Sequence, residues 1–148
     1  MVGCAPMKKL LSILALAVVL ACGGGKHYWQ AQPAQGGPIT IQPEQIWVAH
    51  GKLWVRTNVV NGTGQPIMIN RDAIVARLPN GAVVHRAAGS ATIHAPYLIP
   101  PGGAHAVYVE FYADGLDWQT VPNAQVDFSP GLTVNGQPMA VPPLMVSQ

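Results

Sequence analysis

Five histidines give this chain imidazole groups, which can ligate a metal ion or transfer a proton near neutral pH. Zinc sites usually pair histidines on one helical turn or hairpin, whereas here no two lie closer than nine residues. His85, His94 and His105 could still converge across neighbouring strands, with Met68 as a soft fourth ligand for copper. This copper or zinc site is the alternative hypothesis. The first hypothesis is that these histidines occupy turns and strand edges and bind no metal.

The acidic and hydroxyl side chains form no recognisable catalytic set. Glu110 lies between Val109 and Phe111, so strand alternation turns it away from the predicted core as a solvated residue. Asp114 and Asp117 flank a Gly-Leu pair, a pattern typical of turns and helix caps. None of the serines lies in a Gly-x-Ser-x-Gly pattern. We therefore predict a protein that is not an enzyme and uses no cofactor.

Three aromatic residues are predicted to share the outer face of a sheet. In the run 53–59 apolar residues alternate with others, which turns Trp54 away from the core. The same alternation turns Tyr108 and Tyr112 outward. An exposed aromatic row would suit a protein or glycan partner. The alternative is that the N-terminal tether or the C-terminal tail covers this face.

The N-terminal segment has the pattern of an export signal. Two lysines precede a 12-residue, largely apolar stretch, residues 10–21, which is shorter than the ~20 residues needed to span a bilayer. The stretch ends in Val19-Leu20-Ala21-Cys22, which resembles the lipobox of bacterial lipoproteins. The resemblance implies cleavage between Ala21 and Cys22 and lipidation of Cys22. An ordinary secretory signal with a chance cysteine is the other interpretation.

Charge and cysteine content narrow the possible functions. Lys8 and Lys9 belong to the signal, which leaves six basic against six acidic residues and therefore no basic surface for nucleic acid. After cleavage Cys22 is the only cysteine, so the domain has no disulfide and no thiolate catalyst. Gly23 follows it. By analogy with lipoprotein sorting in enteric bacteria, the absence of Asp at this position favours the outer membrane, with the domain facing the periplasm or the cell surface.

The predicted organisation has three parts. Residues 1–21 are the signal peptide, although the absence of an apolar run before Cys4 suggests Met7 as the true start. Residues 22–37 are the lipidated cysteine and a flexible linker rich in Gly, Gln, Ala and Pro. Residues 38–148 form the folded domain. Its tail follows Pro142-Pro143, which favours a sheet edge at most.

The domain pattern is all-β. Period-two runs alternate with turn sequences, and we count about seven to nine short strands with no long helical stripe, as in an antiparallel sandwich. The Asn135-Gly136 pair predicts a type I′ hairpin. The turn at Asn61-Gly62 is expected because both residue types tolerate positive φ.

The spacing of strands and turns also resembles a known family. The residues concerned are the Val-rich strand from Leu53, Asn61-Gly62-Thr63-Gly64, Pro66-Ile67, Asn80-Gly81, Ile99-Pro100-Pro101-Gly102-Gly103 and the strand ending at Phe111. This pattern, over most of residues 38–146, is similar to the small immunoglobulin-like domains of bacterial lipoproteins. The resemblance implies an immunoglobulin-like sandwich with a binding or accessory role. The resulting hypothesis is a lipid-anchored envelope module that contacts a protein or an envelope polymer.

Overall fold

The computed structural model describes residues 25–86 and 96–148. These residues form thirteen β-strands and three 3-10 helices, with no α-helix among them. The strands are β1 (His27–Ala31), β2 (Ala34–Gly36), β3 (Ile39–Ala49), β4 (Lys52–Asn61), β5 (Ile67–Ile69), β6 (Val75–Arg77), β7 (Val83–Val84), β8 (Tyr97–Ile99), β9 (Ala104–Phe111), β10 (Asn123–Asp127), β11 (Leu132–Val134), β12 (Gln137–Pro138) and β13 (Leu144–Ser147). The 3-10 helices are Arg71–Ala73, Trp118–Thr120 and Ser129–Gly131. No helix in the described ranges has the length and apolarity that crossing a membrane requires.

The strands pair into two antiparallel sheets around one apolar core. The larger sheet has the order β7-β6-β10-β13-β1-β3-β4-β9, with β2 also paired to β3, and the smaller has the order β12-β11-β5-β8. An isolated bridge joins Arg86, just after β7, to Phe111 at the end of β9, so the larger sheet curls. The predicted all-β antiparallel, sandwich-like fold is confirmed. The strands outnumber the predicted seven to nine because several are only two or three residues long.

The hairpin of β3 and β4 is the longest paired unit of the larger sheet. Its loop is His50-Gly51, where φ is 52° and 72°, as a two-residue type I′ turn requires. The inward residues of β4 are fully buried, as the alternation predicts, namely Leu53, Val55, Thr57 and Val59. Asn135-Gly136, with φ of 50° and 75°, forms the predicted type I′ turn, between β11 and β12.

The N-terminal segment belongs to the fold. The prediction that residues 22–37 are a flexible linker is wrong for 27–31 and 34–36, which form β1 and β2. The side chain of Trp29 is 5% exposed, and Ala34 is buried as well. Backbone pairing with β3 and burial of a Trp side chain outweigh the linker-like composition. The domain therefore begins at or before His27, and not at residue 38.

The C-terminal tail is also more central than predicted. β13 lies between β10 and β1, so the prediction of an edge position is wrong. Pro142 and Pro143 precede the strand, and therefore remove no ladder hydrogen bond from it. Leu144 and Val146 contribute to the core.

Asn61 holds the turn that leads from β4 to the smaller sheet. Its side-chain amide donates to carbonyl oxygens of Gln65 at 2.8 Å, Ile99 at 3.0 Å and Pro100 at 3.2 Å. Its Oδ1 accepts from both the backbone N–H and the hydroxyl of Thr63. Asn61 is fully buried, so this amide replaces the water that those groups would otherwise need.

The conformation of this turn differs from the predicted one. Neither Asn61 nor Gly62 has a positive φ. Gly62 is required for space instead, since a Cβ there would approach the carbonyl oxygen of Pro38 to 2.5 Å. Side-chain hydrogen bonding therefore shapes the turn.

We expect Asn61→Ala to lower the free energy of unfolding by about 3 kcal/mol, because buried carbonyl groups lose their donor. Chemical denaturation measures this. Asn80→Ala is the matched control, since Asn80 is exposed and its Oδ1 only accepts from the N–H of Ala82. The control should cost about 0.5–1 kcal/mol. Equal losses for the two variants would contradict the assigned role of Asn61.

Candidate functional site

Five aromatic side chains lie on the outer side of β1, β3, β4 and β9, and we call them the aromatic surface: Tyr28, Trp47, Trp54, Tyr108 and Tyr112. Tyr28, Trp47 and Trp54 occupy paired positions on three adjacent strands. Tyr108 is on β9, and Tyr112 directly follows that strand. Because side chains alternate along a strand, the inward neighbours fill the core while these five face away from it.

The two tryptophans and Tyr108 form a contiguous ring cluster. The rings of Trp47 and Trp54 are stacked, with 5.8 Å between centroids and planes 2° apart. The Tyr108 ring tilts against both, with its centroid 5.9 Å from Trp47 and 5.6 Å from Trp54. The indole N–H of Trp54 donates to the carbonyl oxygen of Ala49 at 3.2 Å. Ring packing and this hydrogen bond hold the cluster in one arrangement.

Two lysine ammonium groups lie over the tryptophan rings. Lys26 Nζ is 4.6 Å from the ring centroid of Trp47, and Lys52 Nζ is 5.4 Å from that of Trp54. Both distances allow a cation–π interaction. Lys52 also pairs with Glu110 at 3.5 Å, and the Glu110 side chain is only 17% exposed. Glu110 is therefore less solvated than predicted.

The aromatic surface is covered in its centre and open at its margin. Trp47 is 6% exposed, whereas Tyr28, Tyr108 and Tyr112 are 55%, 40% and 43% exposed. A shallow groove of about 360 Å³ is lined by Lys26, Trp47, Ala49, His50, Trp54 and Tyr108. The N-terminal segment thus covers Trp47 through Lys26, but leaves the tyrosines accessible. The C-terminal tail lies within the sheet.

The structure brings Trp54 and Tyr108 together and adds residues that the sequence interpretation missed. Lys26 and Tyr28 were assigned to a linker, and their place beside Trp47 fits the alternative in which the N-terminal tether lies against this face. The sequence signal was that Tyr28 and Trp29 are adjacent, so in a strand one ring faces outward when the other faces the core.

The predicted metal-binding histidines are only partly described. His85 is exposed after β7, and His105 on β9 stacks on Tyr97 with 3.7 Å between ring centroids. His94 lies outside the described residues. Within 25–86 and 96–148, no three His, Cys, Asp or Glu side chains are grouped to hold a metal ion.

Two tyrosines of the aromatic surface hold their phenol protons more tightly than usual. The pKa of Tyr108 is raised from 10.0, first by burial and then by the negative charge of Glu110, while Arg56 lowers it. The pKa of Tyr112 is raised from 10.0, first because its hydroxyl donates to Asp114 at 2.9 Å and then because of the charge on that carboxylate. Both phenols are therefore neutral hydrogen-bonding groups near neutral pH.

No protein-family model and no curated protein matches this chain. Among solved structures, the chain is similar to the crystal structure of the yjhA protein from Bacillus subtilis. The TM-score is 0.49 and the sequence identity is 10%, over 67% of this chain and 78% of that chain. A likeness of this size carries no information on function.

We expect Asp114→Asn to lower the pKa of Tyr112 towards its ordinary value, because the variant removes the negative charge that holds the proton. Alkaline titration of the tyrosinate absorbance measures this. A raised folded-state pKa contributes stability that is present below the ordinary value of 10.0 and is lost as the pH rises through the raised value. As the pH rises through this range, the free energy of unfolding of the variant should therefore fall less than that of the wild type.

Asp117→Asn serves as the control for this titration. Asp117 caps the 3-10 helix Trp118–Thr120 by accepting from the N–H of Gln119. This change should leave the titration curve as it is. A wild-type curve for Asp114→Asn would contradict the Tyr112–Asp114 hydrogen bond.

Proposed function

We propose that this chain is a lipid-anchored, non-enzymatic binding module of the bacterial cell envelope. In this proposal Cys22 carries the lipid, and the aromatic surface contacts an envelope component. The observation that carries it is the stacked pair Trp47–Trp54, bordered by the accessible rings of Tyr28 and Tyr108. Clustered aromatic groups on a rigid sheet are typical of binding surfaces.

The proposed anchor rests on the sequence. Ala21 and Cys22, the predicted cleavage and lipidation residues, lie outside the described residues. The apolar stretch before them is too short to span a bilayer and ends in the lipobox-like Val19-Leu20-Ala21-Cys22. In this proposal the chain attaches through its lipid. The residue after Cys22, Gly23, favours the outer membrane.

The polar groups of the aromatic surface favour binding over catalysis. Glu110 is paired with Lys52, and Asp114 accepts from the hydroxyl of Tyr112. Each carboxylate thus stabilises a neighbouring side chain, and the rings present apolar faces with polar tips. Such a surface can stack on, cover and hydrogen-bond a partner. We also propose that the folded domain is an immunoglobulin-like sandwich, on the basis of its turn spacing.

Cys22→Ser tests the anchor directly. We expect the variant to lose the diacylglycerol mass increment and to retain its signal peptide. Mass spectrometry of the membrane protein measures each of these changes.

Cys4→Ser is the matched control, because Cys4 has no apolar segment before it. It should be processed as the wild type is. A Cys22→Ser protein with normal cleavage and normal lipid attachment would contradict the proposed anchor.

A further inference from the structure

The aromatic surface lies at the start of the folded chain. His27, the first residue of β1, pairs with Val48, next to Trp47 on β3. Lys26 precedes it and lies over the Trp47 ring. The hairpin turn at His50 borders the same groove. One end of the larger sheet therefore carries both the rings and the entry of the chain.

The distance from Cys22 to this surface is short. Lys26 is the fourth residue after Cys22, and a fully extended chain of four residue steps reaches at most about 14 Å. A lipid on Cys22 holds its residue at the membrane surface. The rings next to Lys26 must then stay near the headgroups, whatever path residues 22–26 take.

We propose that the aromatic surface docks on the headgroup region of the membrane that holds the lipid of Cys22. This inference rests on the proposed function and names the partner of the same surface. The domain then lies against the bilayer and does not project from it on a long tether.

The chemistry of the surface suits an interface between water and lipid. Tyr and Trp are enriched at headgroup depth, because their rings are apolar and their hydroxyl or indole groups are polar. Tyr28, Tyr108 and Tyr112 have exposed rings of this kind. Lysine stems can lie along apolar groups while the ammonium reaches a lipid phosphate.

The charges of the surface indicate which forces act. Lys26 has no ion pair in the described part of the chain, whereas Lys52 is paired with Glu110. Asp114 adds a negative charge beside Tyr112. With few uncompensated cations, docking should depend mainly on the rings and only weakly on salt.

The experiment uses the full lipidated chain in vesicles of phosphatidylethanolamine and phosphatidylglycerol whose acyl chains carry bromine near the headgroup. Bromine quenches tryptophan fluorescence at short range. Trp47 and Trp54 are the reporters, while Trp29 and Trp118, buried in the core, give the constant background. We expect the wild type to be quenched by the brominated lipid and protected from acrylamide in water.

The test variant is Tyr28→Ser with Tyr112→Ser, because both rings are exposed and neither belongs to the stacked cluster of Trp47, Trp54 and Tyr108. It should lose most of the lipid quenching and gain acrylamide quenching. Tyr97→Ser is the matched control, since Tyr97 is 47% exposed but lies on β8 of the smaller sheet. It should behave as the wild type does. Thermal unfolding of each variant shows whether the fold is retained.

Two negative results separate the two proposals. If mass spectrometry of the same sample finds no lipid on Cys22, both the anchor and the docking are overturned. If the chain is lipidated but its tryptophans are not quenched by brominated lipid, docking alone is overturned. In that case, protection from acrylamide would indicate that a second copy of the chain covers the surface.

Discussion

The pairing of β1 with β3 and β13 is the interaction on which the rest of the structure depends. β1 joins the two halves of the larger sheet, because β13 on one side of it pairs with β10 and β3 on the other side pairs with β4. Trp29 secures it from inside, where its ring meets Trp118 edge to face with 6.3 Å between centroids. Trp118 is in turn tied to β9, because its indole N–H donates to the carbonyl oxygen of Phe111 at 3.1 Å. An N-terminal strand thus joins both sides of the core.

The aromatic surface follows from this pairing. With Trp29 turned inward, strand alternation turns Tyr28 outward beside Trp47. Lys26, one residue before β1, then reaches the Trp47 ring. The same backbone hydrogen bonds that complete the core therefore place two residues of the N-terminal segment on the outer face. The proposed lipid and the proposed contact surface are brought together by that one strand.

The sequence allowed the fold class to be predicted, but not the position of the two terminal strands. Local signals were sufficient for β4, where alternation is strong, and for the turn at Asn135-Gly136. β1 and β13 gave weak signals, because a Gly- and Gln-rich segment and a Pro-Pro pair surround them. Each is stabilised by long-range partners that no local pattern contains. For the same reason Trp54 and Tyr108 could be predicted to face outward, while Lys26 and Tyr28 could not be joined to them.

Amide hydrogen exchange across residues 27–31 tests most directly whether the N-terminal segment belongs to the fold. In a central strand, the amides that bond to neighbouring strands exchange only when the structure opens. If β1 belongs to the fold, peptides from β1 are protected about as well as peptides from β4. Exchange of the β1 amides at the rate of an unstructured peptide would contradict this. The aromatic surface would then lose the strand that connects it to Cys22.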